Sequence, residues 1–217
     1  MKREIANGVK KMHYLDEQVL VLPDVYEPCD DTYLLLDAAL NEVRSTDSVL
    51  EVGTGCGVIA KMVACRARCV IATDKNPRAV ANAKLNSVEA IVGDLFADLD
   101  RRFDLIIFNP PYLPGRSEIS RDLQTQAWDG GRSGREVIAQ FLFQVGNYLT
   151  EKGRVLLVIS SITGYNEVIK LMHAQFGMVG VVAERKFFFE TLYVVRGAKA
   201  MQSEGAASVA VEFKKGL

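Results

Sequence analysis

Short apolar runs and amphipathic stretches alternate along most of this chain. "SVLEVG" (48–53), "CVIATD" (69–74), "EAIVGD" (89–94), "FDLIIFN" (103–109) and "RVLLVIS" (154–160) are apolar without strict alternation. That pattern predicts strands buried on both faces, as in a parallel sheet. Between them, "VIAKMVACRA" (58–67), "PRAVANAKLN" (77–86) and "GREVIAQFLFQVGNYL" (134–149) carry helical spacing. Pro77 suits a first helical position, whose N–H would be unbonded anyway. Strand, helix, strand in this order calls for right-handed crossovers and a doubly wound sheet.

The two ends read differently. "MVGVVAERK" (178–186) and "ETLYVVRGA" (190–198) leave no room for a helix between them. They should pair antiparallel, with the last strand inserted as a hairpin arm. The expectation is an α/β fold: a doubly wound, seven-stranded, mostly parallel sheet with an antiparallel last strand. Ahead of it, "YLDEQVLVLPDVYEP" (14–28) alternates like an edge hairpin, and "DDTYLLLDAALNEV" (30–43) reads as a helix that Asp30 or Asp31 can cap. No internal repeat is visible. Residues 1–198 are expected to form one domain and 199–217 a weakly patterned tail, in which "SVAVEF" could add an edge strand.

Composition narrows the classes. A 217-residue chain is long enough for a sizeable α/β core. A net charge of −1 gives no global field to hold a polyanion, although "RKFFF" (185–189) is a candidate local basic patch. No stretch approaches the ~20 apolar residues of a membrane span. Cys29, Cys56, Cys65 and Cys69 form no CxxC pair and the two histidines, His13 and His173, are far apart. No metal site is expected, and reduced thiols in a cytoplasmic protein are.

The first candidate site is the glycine turn "EVGTGCG", between the first sheet strand and its helix. Glycines there let backbone approach a ligand at the carboxyl end of the sheet. The spacing Gly53-x-Gly55-x-Gly57 is shorter than the G-x-G-x-x-G of dinucleotide sites. Glu51 stands inside the strand, Asp74 ends the second strand and Asp94 ends the third. Asp74 can accept from both hydroxyls of a ribose, and Asp94 from an adenine amino group. Carboxylates without a basic residue in the turn argue against a pyrophosphate. They suit a cationic ligand with an amino-acid head, as S-adenosylmethionine is. The bland reading of each acid alone is a helix cap or a solvated strand end; three at successive strand ends, beside the turn, outweigh it.

The second candidate site is "NPPY", Asn109 to Tyr112, which stops the fourth strand abruptly. Its chemistry fits an acceptor that is planar, weakly nucleophilic and carries two N–H donors, such as a carboxamide. The Asn109 side-chain oxygen and the Pro110 carbonyl can accept one N–H each. Pro111 favours an extended Pro110 and helps aim that carbonyl, and Tyr112 offers a flat face. Catalysis would then be positioning and charge placement, with no protein nucleophile.

"VYEPCDDTYLLLDAAL" (25–40), "EVGTGCG", "NPPY" and "AWDGGRSGREVI" (127–138), in this order, resemble the HemK-type protein glutamine N5-methyltransferases, most closely the compact archaeal and eukaryotic branch. The resemblance covers nearly all of residues 20–197. It implies the class I methyltransferase fold, S-adenosylmethionine as donor, and as substrate the glutamine of the Gly-Gly-Gln loop in a class I translation termination factor. It places Thr32, Glu51, Gly53, Asp74, Asp94 and Leu95 around the donor and Asn109 to Tyr112 on the glutamine; Thr32 by itself is an ordinary first-turn residue. Cys56 departs from the small hydroxyl residue frequent in such turns, and a buried thiol there is inert. "LNSVEAIVGDLFADLDRRFD" leaves little cover between the third and fourth strands, and Trp128 is as consistent with core as with contact. The branch commonly works with a small zinc-binding activator, and the third strand, at a sheet edge, is open to such a partner.

Other functions stay open on the residues alone. An N6-adenine methyltransferase acting on RNA or DNA would use the same planar amine, but must also hold a strand and extrude a base. A protein lysine methyltransferase would grip no flat amide. A donor-binding scaffold without activity would not need NPPY.

Overall fold

In the computed structural model, residues 3–6, 9–14, 17–112 and 134–199 are described. The main sheet is built from β4 (Ser48–Val52), β5 (Cys69–Asp74), β6 (Ala90–Val92), β7 (Phe103–Phe108), β8 (Leu149–Ser160), β9 (Met178–Lys186) and β10 (Thr191–Ala198). Their order is β6-β5-β4-β7-β8-β10-β9. Only β10 is reversed, pairing antiparallel with both β8 and β9. The doubly wound sheet with its inserted hairpin arm is therefore as the apolar pattern predicts. All five residues of β4 are buried, which is why its sequence shows no alternation.

Helices α1 (Asp30–Glu42), α2 (Val58–Ala64), α3 (Pro77–Leu85), α4 (Glu136–Val145) and α5 (Tyr165–Gln175) flank the sheet. In α4 the buried positions Ile138, Phe141, Leu142 and Val145 follow the i, i+3, i+4, i+7 spacing of one helical face. Helix α5 was not among the sequence expectations, although Val168 and Met172 mark a buried stripe one turn apart. Between β6 and β7 the chain forms no helix; it tucks in Phe96, which stacks on Tyr148 and Phe141 with centroids 4.6 and 5.4 Å away. Phe141 in turn meets Phe108 at 4.7 Å, so an aromatic column anchors the end of β7 immediately before Asn109.

The amino-terminal region corrects the sequence reading. Instead of a hairpin inside 14–28, an antiparallel three-stranded sheet forms from β1 (Arg3–Ala6), β2 (Val9–Tyr14) and β3 (Glu17–Val21). Met12 pairs with Val19 in register, and both are buried on one face with Val21. Past Val21 the chain leaves the ladder at Leu22, Pro23 and Asp24, whose φ is 64°. The outer edge of β3 is closed by side chains. Leu20 N–H donates to Asn86 Oδ1 (2.9 Å) and Leu22 N–H to Asn82 Oδ1 (2.8 Å), while both asparagine amides donate to the Leu20 carbonyl (2.8 Å each). One turn apart on and just beyond α3, the two carboxamides substitute for a neighbouring strand and satisfy an edge that would otherwise stay open. This docking carries residues 22–31 over the carboxyl end of the sheet. The possible edge strand in the tail, like Trp128, lies outside the described residues.

Candidate active site

At the carboxyl ends of β4, β5, β6 and β7 lies a cavity of ≈ 300 Å³. The structure brings Gly53, Gly55, Asp74, Asp94, Leu95, Asn109, Pro110, Pro111 and Tyr112 together on its lining. Parallel strands pointing the same way make this convergence possible: the residues that end each strand meet at one rim. Thr32 and Glu51 are not on the lining; Thr32 donates to Asp31, which is, while Glu51 bonds Thr54 and Ala60, which are not.

The turn after β4 is shaped by three left-handed glycines, Gly53, Gly55 and Gly57, with φ of 65°, 57° and 85°. A side chain at Gly57 would also meet Ala83 Cα and Cβ at 3.0 Å, so both conformation and close helix packing require glycine here. Glu51 is the brace of the turn. Its Oε2 accepts from Thr54 Oγ1 (2.6 Å) and from the Ala60 N–H (2.9 Å), which ties strand, turn and α2 together. Burial pushes its carboxyl up to about 8. Asp74 closes the other side, accepting from Gly55 N–H (2.9 Å) and Asn76 N–H (2.8 Å). Burial raises its carboxyl pKa and those two bonds oppose the rise. Cys56 is 1 % exposed, and burial pushes its thiol up to about 12. It holds no thiolate near neutral pH.

The NPPY side is built otherwise. Asn109 Nδ2 donates to Asp31 Oδ2 at 3.1 Å, and the Tyr112 hydroxyl donates to the same oxygen at 3.3 Å. The Tyr26 hydroxyl donates to both Asp31 oxygens, at 2.8 and 2.9 Å. Both phenols are pushed up, by burial first and then by the Asp31 charge. They stay protonated and can only donate to a carboxylate. The other end of the Asn109 amide is different: Oδ1 is buried and makes no hydrogen bond among the described residues. A buried acceptor left unmade costs about 1–3 kcal/mol, so its retention calls for a functional explanation.

Sequence reasoning missed Tyr26 as a lining residue and gave Asp31 only a cap's role, along with Asp24, Lys75 and Gln140 on the walls. Asp31 sits inside a motif already singled out, but nothing in the chain's order ties it to Asn109. Of "AWDGGRSGREVI", Val137 reaches the lining, Gly134 takes a φ of 74°, and residues 127–133 lie outside the described residues. The basic patch expected at "RKFFF" is compensated: Arg185 pairs with Asp30 (2.6 Å) and Lys186 with Glu184 (3.5 Å).

A glycine-shaped, acid-walled cavity at the carboxyl rim of this sheet, with NPPY opposite, defines a methyltransferase. Comparison with known proteins agrees. The family model described as "Methyltransferase small domain" matches residues 26–190. A Methanocaldococcus jannaschii protein named as a putative protein N5-glutamine methyltransferase is 40 % identical over 183 residues, covering 80 % of this chain and 91 % of its own. Human methyltransferase HEMK2 is 36 % identical, covering 82 % and 91 %. Among solved structures, the Mtq2 subunit of the E. cuniculi Mtq2–Trm112 complex, responsible for methylation of the eRF1 termination factor, superposes with a TM-score of 0.69. It is 30 % identical and covers 82 % of this chain and 99 % of that one. The chain belongs to the methyltransferase small-domain family, in the group of the protein N5-glutamine methyltransferases.

Proposed function

We propose that this enzyme transfers a methyl group from S-adenosylmethionine to the side-chain nitrogen of a protein glutamine, that of the Gly-Gly-Gln loop in a class I translation termination factor. The observation that carries the reading is the Asn109 amide, whose Nδ2 is spent on Asp31 while Oδ1 is buried without a partner. An unspent acceptor at a cavity wall is matched by a planar NH2.

The residues present fit the cofactor. Asp74 and Asp94 offer carboxylates to hydroxyl and amino donors, Leu95 and Pro77 give apolar walls, and the glycine turn admits backbone contact. Glu51 acts on this half indirectly, through the turn, whereas Thr32 bonds Asp31 on the other wall. When bound, the cofactor supplies a methyl on a positively charged sulfur, already activated for attack. The chain's own task is to hold the acceptor. Asn109 Oδ1 and the Pro110 carbonyl each take one N–H of the glutamine amide, directing its nitrogen; Pro111 and Tyr112 pack beside the amide plane. The glutamine nitrogen would take the methyl as its bond to sulfur breaks, leaving a neutral thioether, and would release one proton to water. Positioning of this kind is worth several powers of ten in rate without a nucleophile from the protein.

Partner and setting follow from the same reading. β6 is a three-residue edge strand, with Val92 50 % exposed and Leu85 at the end of α3 58 % exposed. A small zinc-binding activator subunit pairing there would cover both, and the solved Mtq2 relative is itself in a complex with Trm112. Among the described residues no helix is long and apolar enough to cross a membrane. The substrate assigns the enzyme to the cytoplasm. Paired charges at Arg185 and Lys186 weaken the alternative of a nucleic-acid substrate.

The deciding experiment presents the enzyme, alone and with the activator, with labelled S-adenosylmethionine and separately with a Gly-Gly-Gln-bearing termination factor, RNA and DNA. The factor should gain one methyl at the glutamine, located by peptide mass. Label in RNA or DNA with none in the factor would overturn the assignment. Full activity and solubility of the chain alone would remove the activator.

A further inference from the structure

The acceptor side of the cavity turns on a residue outside it in sequence. Asp31, on the first turn of α1, is 4 % exposed. Its carboxylate receives three side chains that the fold brings from elsewhere, Tyr26, Asn109 and Tyr112, at 2.8–3.3 Å. It also accepts from Thr32, through N–H at 2.6 Å and Oγ1 at 3.2 Å. A residue that only capped a helix would need the backbone contact alone. The remaining donors, two of them about eighty positions away, are a cluster converging on one buried acceptor.

An ionised carboxylate offers lone pairs and no donor. Asn109 can therefore face Asp31 only with its NH2 group; turning the amide over would set two oxygens against each other. Because the carboxamide is flat, fixing Nδ2 fixes Oδ1 on the opposite side. We propose that Asp31 is the positioning residue of the acceptor site, holding the Asn109 carboxamide in the single orientation that leaves Oδ1 for an incoming N–H. Tyr26 and Tyr112 brace the carboxylate. The arrangement sets specificity: with acceptors at both Asn109 Oδ1 and the Pro110 carbonyl, the site takes an NH2 group and refuses the carboxylate of a glutamate in the same loop.

This inference rests on the function proposed above. It is tested with D31A, D31N, N109A and the D31A/N109A pair, with and without the activator. D31A should lower kcat for the termination factor about 100-fold, with KM and the Kd for S-adenosylmethionine within about threefold of wild type. On the N109A background D31A should cost less than about threefold more, since the residue it positions is already gone. D31N keeps an acceptor oxygen and should recover to within about tenfold of wild type. A D31A enzyme within threefold of wild-type kcat, or a double variant whose losses multiply, would overturn the proposal. A second readout does not need turnover. The Asn109 side-chain amide, identified in a 15N spectrum by its absence from N109A, should exchange slowly in the wild type and lose that protection in D31A, or in D31L should D31A not fold, whereas D31N keeps part of it. If the wild type methylates no glutamine, the function falls by itself, and unchanged Asn109 amide signals in D31A or D31L still refute the positioning role.

Discussion

The two halves of the cavity are built on opposite rules. On the half around the β4 turn, which the proposed function gives to the donor, the two buried acids find partners within the protein: Glu51 in Thr54 and Ala60, Asp74 in Gly55 and Asn76. The turn is finished before any ligand arrives, and its acids are braces as much as contacts. On the acceptor half, around NPPY, an equally rigid network through Asp31 ends in a buried oxygen with no partner. Rigidity serves different ends in the two places. A site that must release and rebind a cofactor needs a preformed cradle, whereas a site that must select one chemical group needs an unmet demand which only that group fills.

The comparison can be broken by variants, taken from the largest effect downwards. Asn109→Ala removes the unmet acceptor and should cut single-turnover transfer by about a thousandfold, while calorimetric donor affinity stays within about threefold. Loss of donor binding in proportion would show that the halves are not separate. Asp74→Asn weakens charge-assisted bonds on the other half and should lower donor affinity about tenfold, with the transfer rate at saturating donor little changed. Gly57→Ala puts a Cβ against α3 at a left-handed position and should cost about 2 kcal/mol in urea denaturation.

The smallest effect is a slope with pH. The Glu51 carboxyl titrates near 8 in the fold and at its ordinary 4.5 in the unfolded chain. Between those values the folded state holds the extra proton, so this residue's contribution to stability falls as pH rises through the window. Glu51→Gln should flatten the dependence, seen as a smaller change in denaturation midpoint between pH 5 and pH 8. A steeper slope in the variant would reverse the assignment.

Sequence patterning located most of the sheet because buried parallel strands leave an unmistakable mark. "CVIATD" coincides with β5 residue for residue, and "MVGVVAERK" with β9, a mostly exposed edge strand marked instead by its β-branched residues. It located the glycine turn, Asp74, Asp94 and NPPY because strand ends in a parallel sheet converge by rule. It failed at β3, whose edge is closed by Asn82 and Asn86, two polar residues that a helical wheel assigns to solvent. It also failed to name α5, where the buried stripe is narrow.

Asp31 shows the boundary most clearly. Its place in the first turn of α1 and its negative charge belong to local sequence, since an acid there favours the helix whatever surrounds it. Its grip on Asn109 depends on α1 packing against α2 and the β8–β10 part of the sheet, which sets its first turn beside the end of β7. Local pattern settles which segments become strands and helices and which residues end them, because periodicity and backbone sterics act within a few residues. Which oxygen is left without a donor depends on groups about eighty residues apart, and only the folded chain brings those together.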